Sequence, residues 1–179
     1  MEIIDETASS DGGKDDRARP PSQVTWAPRR VLVPLDGSLA AGTVLPFVLR
    51  IARPLNLEIA LLRVVLRIAP RVLEGARPVV IDPSERIARE AEEYLRTIAE
   101  RVSANGVRVL TTVRVGDAAT EIVAGAGECD VDLIAMTTHG RSALARRLFG
   151  AVAEAALRRA HIPVFVVRAT GAAEARMAA

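Results

Sequence analysis

Two segments of the chain contain residues whose types and spacing suit the binding of a phosphorylated ligand. In the segment 136–142, with the sequence MTTHGRS, Gly140 lets the backbone approach a ligand closely and Arg141 offers a charged donor to phosphate. Gly150 precedes a predicted helix, whose free N–H groups and positive dipole end form an anion site. The spacing therefore predicts a phosphate site between Gly140 and the start of that helix.

The second segment follows the apolar run 31–35 and predicts the sugar and base side of the same site. Asp36 leaves this run where its carboxylate can accept a hydrogen bond from a ribose hydroxyl or an adenine amine. Val64, near the end of the apolar run 57–66, can pack on the base. Taken singly, Asp36, Gly140 and Gly150 are also residues that ordinary turns and helix starts contain, and this alternative remains open at this point.

The sequence gives little evidence for nucleophilic catalysis, for a metal site or for a phosphate loop. His139 has no Ser or Cys nucleophile with a supporting acid that the sequence places beside it, so we predict no catalytic residue. His139 and His161 are far apart and Cys129 is the only cysteine, so we predict no metal site. The only lysine is Lys14, which excludes a phosphate loop of the Gly-x4-Gly-Lys-Ser/Thr type.

Alternating strands and helices must position these residues. Apolar runs predict five strands at about 31–35, 57–66, 107–115, 131–136 and 163–167. Helices are predicted at 39–53 with a kink at Pro46, from Pro83 to about 102, from Asp117 to about 125 and at 150–160. Asp82 is the predicted N-cap of the second helix, with Glu85 completing a capping box. Residues 67–81 are predicted to form a mobile flap.

This alternation predicts an α/β fold: a single open, mostly parallel five-stranded sheet with helices on both faces, Rossmann-like in type. Such sheets bind ligands at the carboxyl ends of strands where the strand order reverses. The rule indicates the turns after Leu35 and Met136.

Composition predicts one folded domain with flexible ends. Residues 1–28 are polar, carry six acidic and three basic side chains, and are expected to form a disordered acidic head. The domain is expected over 29–168 and a flexible tail over 169–179. Dispersed arginines and only 3% aromatic residues disfavour nucleic acid as a partner. No apolar run approaches the roughly 20 residues that span a bilayer, and the first residues lack a secretory signal pattern, so we expect a cytoplasmic protein without membrane contact.

Residues 131–168, together with VLVPLDGS at 31–38, resemble the universal stress proteins. The resemblance covers about residues 29–168 and accounts for the order of every predicted element, which implies the adenine-nucleotide α-hydrolase-like variety of the fold. Members that bind ATP carry Gly-x2-Gly-x9-Gly-Ser/Thr after the fourth strand, Pro-x-Asp from the first strand and a Val after His in the second.

Carried over by position, the resemblance implies a nucleotide site formed by Pro34, Asp36, Val64, Met136, Thr137, Gly140, Arg141, Gly150, Ala151 and Val152. The first three would line base and ribose, Met136 would contact the nucleoside, and the others lie where the family holds phosphate. Three positions depart from the pattern: Thr137 replaces the first Gly, Ala151 the Ser or Thr, and Arg63 the His before Val64. The missing hydroxyl should cost roughly 1.5–3 kcal/mol, about tenfold to a hundredfold in affinity.

The function that the resemblance implies is an ATP-binding switch, with or without Mg²⁺, that acts in stress response through protein partners. Any hydrolysis is expected to be slow, so the chain is at most a slow ATPase. The alternative is a protein of the same fold that has lost nucleotide and acts by protein interaction. Under both hypotheses the apolar strand from Val164 to Val167 is predicted to pair with its copy in a homodimer. A true hydrolase or nucleotidyl transferase is the third class considered.

Overall fold

The computed structural model describes residues 26–68, 71–73, 79–81, 83–138 and 150–169. The elements follow one another as β1 (Arg30–Pro34), α1 (Leu39–Gly42), α2 (Leu45–Leu55), β2 (Glu58–Val65), β3 (Arg71–Leu73), β4 (Val79–Ile81), α3 (Ser84–Ser103), β5 (Val109–Val115), α4 (Ala118–Glu128), β6 (Leu133–Thr138), α5 (Ala151–Arg159) and β7 (Val164–Arg168). The predicted acidic head and the tail from 170 onward lie outside the described residues, apart from positions 26–28.

Five strands form one parallel sheet in the order β5-β2-β1-β6-β7. The central strand β1 pairs on both sides, and Val31 lies opposite Ile59 in β2 and Leu133 in β6. The chain order reverses between β1 and β6, because β2 and β5 continue to one side and β7 to the other. This confirms the predicted α/β fold, with β1, β2 and β6 in the centre.

The sheet is covered on both faces, which explains why its central strands are apolar without alternation. On one face Val31 and Val33, both fully buried, pack with Val48 of α2 and Leu95 of α3. On the other face Leu32 packs with residues of α4 and α5. Each face therefore has its own aliphatic core. The helices cover the faces of the sheet, and its carboxyl edge remains accessible to a ligand.

Among the described residues, no helix is both long and apolar enough to cross a bilayer.

The single kinked helix predicted at 39–53 is wrong, because the structure has two helices there. Ser38 caps α1 by accepting from the amide of Ala41 at 3.1 Å, and the chain turns at Thr43 before α2 begins. Pro46 lies in the first turn of α2, where its missing N–H has no helical partner to lose. The proline therefore starts a helix instead of bending one.

No helix or strand was predicted within 67–81, and this needs correction; the mobility of the segment stays a prediction. The structure contains two short antiparallel strands in this range, β3 and β4, with Val72 opposite Val80. Their β-branched residues favour extended backbone, and Pro70 and Pro78 lie outside the two strands, next to their first residues. The following helix, α3, begins at Ser84 with Pro83 as cap residue and without a side-chain cap bond, whereas the predicted cap Asp82 lies outside the described residues.

Candidate functional site

A pocket of about 220 Å³ opens at the carboxyl edge of the sheet, where the strand order reverses. Its walls come from the ends of β1, β2 and β6 and from the first turns of α4 and α5. The lining residues are Pro34, Leu35, Asp36, Ala41, Val64, Ala118, Ile122, Met136, Thr137, Gly150, Ala151, Val152 and Ala153. Asp36 is the only ionisable side chain among them.

The turn after β1 positions the carboxylate of Asp36 at the pocket. β1 stays attached to β2 up to Leu35, whose amide donates to the carbonyl of Leu62 at 2.8 Å. Gly37 then takes φ of +86°, a conformation that favours glycine. The amide of Ser38 donates to Oδ1 of Asp36 at 2.8 Å. The carboxylate is thus held by its own turn, while the residue is exposed to solvent.

The pocket wall between β2 and β6 is apolar. Val64 and Met136 line it, and Met136 is only 5% exposed. Ile122 closes the wall from α4, whose N-terminus is capped by Asp117 accepting from the amide of Thr120 at 3.0 Å. The face of a planar group such as a nucleobase suits this wall, because it can pack on the apolar surface that the three side chains form.

The N-terminus of α5 forms the polar end of the pocket. Gly150 is the cap residue and makes no side-chain cap bond, and the first two helical residues, Ala151 and Val152, also line the pocket. The first N–H groups of a helix have no intrahelical partner, and the helix dipole is positive there. This end can therefore hold a phosphate or another anion through backbone amides.

Thr137 lines the pocket and ties β6 to α1. Its hydroxyl donates to the carbonyl of Ala41 at 3.1 Å, across 96 positions of the chain. The hydroxyl therefore has a structural partner inside the protein. This contact gives a physical reason for threonine at a position where the resemblance led us to expect glycine.

Arg63 does not line the pocket but lies behind the turn after β1. Its Cζ is 5.1 Å from the ring centroid of Tyr94 in α3, a cation–π distance. A Cβ at position 37 would overlap Nη1 of Arg63, so any residue other than glycine would displace the guanidinium from this place. Burial raises the pKa of the Tyr94 hydroxyl, while the charge of Arg63 lowers it and that of Asp36 raises it.

The structure brings eight of the ten predicted site residues to one pocket; Gly140 and Arg141 lie outside the described residues. His139, for which we predicted no catalytic role, lies outside them too. The prediction missed five lining residues: Leu35, Ala41, Ala118, Ile122 and Ala153. The cap at Asp117 was a usable signal for Ala118, because helix starts at this edge face the crevice. Within the described part of the chain, no group of three His, Cys, Asp or Glu side chains could hold a metal ion.

Comparisons with known proteins agree with this architecture. The family model described as the universal stress protein family matches residues 28–168. The universal stress protein MJ0531 of Methanocaldococcus jannaschii is 32% identical over 143 residues, which cover 78% of this chain and 82% of the relative.

Solved structures share the fold at lower identity. A universal stress protein from Lactobacillus plantarum has a TM-score of 0.62 at 24% identity, covering 78% of this chain and 97% of its own. A universal stress protein in complex with cAMP has a TM-score of 0.59 at 23% identity, with 81% and 100% covered. One from Archaeoglobus fulgidus in complex with dAMP has a TM-score of 0.55 at 22% identity, with 79% and 98% covered. The chain belongs to the universal stress protein family.

Proposed function

We propose that the pocket binds an adenine nucleotide, with ATP as the physiological ligand. The observation that carries this proposal is that one pocket contains an apolar wall, a carboxylate and a helix N-terminus that no described side chain caps. A nucleotide has the same order of parts: a flat base, a sugar with hydroxyls and a phosphate chain. Two proteins of similar fold are described in complex with adenine nucleotides, cAMP and dAMP, which supports the choice of base.

In this arrangement each part of the nucleotide has a defined partner. Val64 and Met136 contact the base and Asp36 accepts from a ribose hydroxyl, while the amides of Ala151 and Val152 hold phosphate. Pro34 and Gly150 complete the walls on the two sides. Gly140 and Arg141 are further phosphate contacts that rest on the family pattern alone.

Binding is expected to be weak for such a site. Ala151 has no hydroxyl, and Thr137 uses its own on the carbonyl of Ala41. The loss of one hydrogen bond to a charged phosphate lowers affinity about tenfold to a hundredfold. Among the described lining residues Asp36 alone is acidic, so Mg²⁺ would be held chiefly by the phosphates of ATP.

The cellular role that follows is a switch and not metabolic catalysis. ATP would favour one arrangement of the pocket edge, and protein partners in the cytoplasm would recognise it during stress response. A ligand shifts an equilibrium only by its differential affinity for the two states, so weak binding implies a shallow response to ATP. Hydrolysis, if any, is slow, and we assign no catalytic residue.

A calorimetric titration of nucleotide-stripped protein with ATP tests the proposal. Saturable binding near one ATP per chain is expected, weakened about tenfold or more by Asp36→Asn because a charge-assisted hydrogen bond is lost. Asp130→Asn is the matched control: it removes a carboxylate from an exposed position with φ of +48°, which asparagine tolerates, outside the pocket. Equal affinity of the two variants would place the ligand elsewhere.

The homodimer remains part of the proposal. β7 is an edge strand of the sheet, and Phe165 on it is 38% exposed. Pairing of β7 with its copy would satisfy the free backbone edge and cover Phe165. Light scattering should give twice the mass of one chain at micromolar concentration, and Phe165→Lys should reduce it to one. A monomeric wild type would contradict this part.

A nucleotide-free interaction protein is the second candidate. It is favoured by the engagement of the Thr137 hydroxyl with the Ala41 carbonyl and by the methyl group of Ala151 at the helix start. Under this reading ATP at millimolar concentration gives neither heat nor a thermal shift, whereas the dimer persists.

A further inference from the structure

Arg63 is a half-buried cation that does not line the pocket. Its Nε and Nη1 atoms are buried, and among the described residues neither has a hydrogen-bond partner. Nearly all buried donors in proteins are partnered, because an unpaired donor loses its water without replacement. Burial of these two donors costs free energy, and this cost indicates that Arg63 has a role that compensates for it.

The contacts of Arg63 lie on the far side of the turn that carries Asp36. The guanidinium lies against Gly37, where any side chain would overlap it, and against the ring of Tyr94 at 5.1 Å. It follows directly after Leu62, whose carbonyl makes the last backbone hydrogen bond between β2 and β1. Backbone pairing therefore fixes the chain up to Leu35, and the guanidinium contacts the turn that follows.

Asp36 lies within electrostatic reach of Tyr94, the ring that Arg63 contacts. Burial raises the pKa of the Tyr94 hydroxyl, and the charges of Arg63 and Asp36 act on it in opposite directions. Both charges therefore act around one ring. A cation behind the turn also offsets the repulsion between the Asp36 carboxylate and a phosphorylated ligand, and Asp36 is the only charge on the described pocket lining.

We propose that Arg63 is a positioning residue: its guanidinium, packed between the turn and α3, holds Gly37 and thereby the Asp36 carboxylate in the orientation that accepts from a ligand hydroxyl. Arg63 acts through Asp36 and does not touch the ligand, since it is absent from the pocket lining. The effect on binding rests on the proposed nucleotide function. The effect on the turn does not depend on any ligand.

The ligand-free test measures the turn directly. The amide of Ser38 donates to Asp36 Oδ1, so its hydrogen-exchange rate, measured by NMR, reports whether the turn is held. Arg63→Met, which keeps the length of the side chain without its charge and fork, should make this amide exchange several-fold faster. Arg96→Met, on an exposed position of α3, is the matched control and should leave the rate unchanged. An unchanged Ser38 rate in Arg63→Met would overturn the proposal.

The ligand test uses ATP and a double-mutant cycle with Asp36→Asn. Arg63→Met should weaken ATP binding about threefold to tenfold when Asp36 is present, and less than about twofold when residue 36 is Asn, because the two residues act as a unit. Equal losses in both backgrounds would show that Arg63 acts on the fold at large and would refute positioning.

The two tests separate the possible failures. If the wild type does not bind ATP, the proposed function fails and the Ser38 exchange rate alone decides the role of Arg63. If Arg63→Met does not fold, Arg63→Lys replaces it: the retained charge with a lost planar fork should give a Ser38 rate above that of the wild type. A wild-type rate in that variant would refute the requirement for a guanidinium.

Discussion

Restoring a hydroxyl at the start of α5 should strengthen ATP binding, and Ala151→Ser makes this change. Ala151 is the first residue of α5, lines the pocket and is exposed. A serine there adds one donor to phosphate beside the backbone amides. A hydrogen bond to a charged group contributes about 1.5–3 kcal/mol, and competition from water at an exposed site favours the lower end. We therefore expect about tenfold tighter binding.

The assay is a calorimetric titration of the wild type and the variant with ATP and, in parallel, with adenosine. Adenosine has no phosphate, so its affinity should not change. Ala155→Ser, one turn further along the same helix, controls for the lower helix propensity of serine, which is worth a few tenths of a kcal/mol. Unchanged ATP affinity in Ala151→Ser, or an equal gain for adenosine, would refute the assignment of the helix start as the phosphate site.

Three further predictions concern the frame around the pocket. Thr137→Val removes the hydrogen bond to α1 and should lower the free energy of unfolding by about 1 kcal/mol in urea titrations; an unchanged midpoint would mean that the bond is not formed in solution. Tyr94 is the only tyrosine, so absorbance reports its titration directly. Its pKa should lie above 10.0, rise further in Arg63→Met and fall in Asp36→Asn. Shifts of the opposite sign would contradict the electrostatic effects of Arg63 and Asp36 on this ring. Backbone hydrogen bonds from Arg29 and Arg30 lower the pKa of Asp132, so the stability that it supplies is present above its unfolded pKa of about 3.9 and is lost as the pH falls through the lower folded pKa. In Asp132→Asn the free energy of unfolding should therefore fall less steeply with acid, and a pH profile equal to that of the wild type would contradict this.

The parallel sheet and the place of its crevice were predictable, because the strands and helices follow from short-range patterns. Continuous apolar runs indicate strands covered on both faces, and Val31 and Val33 are indeed fully buried. The strand-order rule then located the crevice at the ends of β1 and β6. Asp36 and Val64 reached the pocket lining because each stands at the end of a buried strand.

Long-range side-chain contacts were not predictable in the same way. The hydroxyl of Thr137 meets a carbonyl 96 positions away, and Arg63 meets a ring on another helix. No local pattern encodes either contact, so the sequence identified both residues only as departures from the family motif. The break between α1 and α2 failed for a related reason, since the position of a proline within a helical stretch does not tell whether it bends that helix or begins the next.

The central claim is that an adenine nucleotide occupies the pocket at the carboxyl edge of the sheet. Photolabelling with 8-azido-ATP, followed by mass spectrometry of the labelled peptides, tests it most directly. We predict labels on the base wall, at or beside Val64, Ile122 and Met136, and their loss in the presence of excess ATP. Labels confined to peptides outside the pocket, or labels that excess ATP does not displace, would contradict the account.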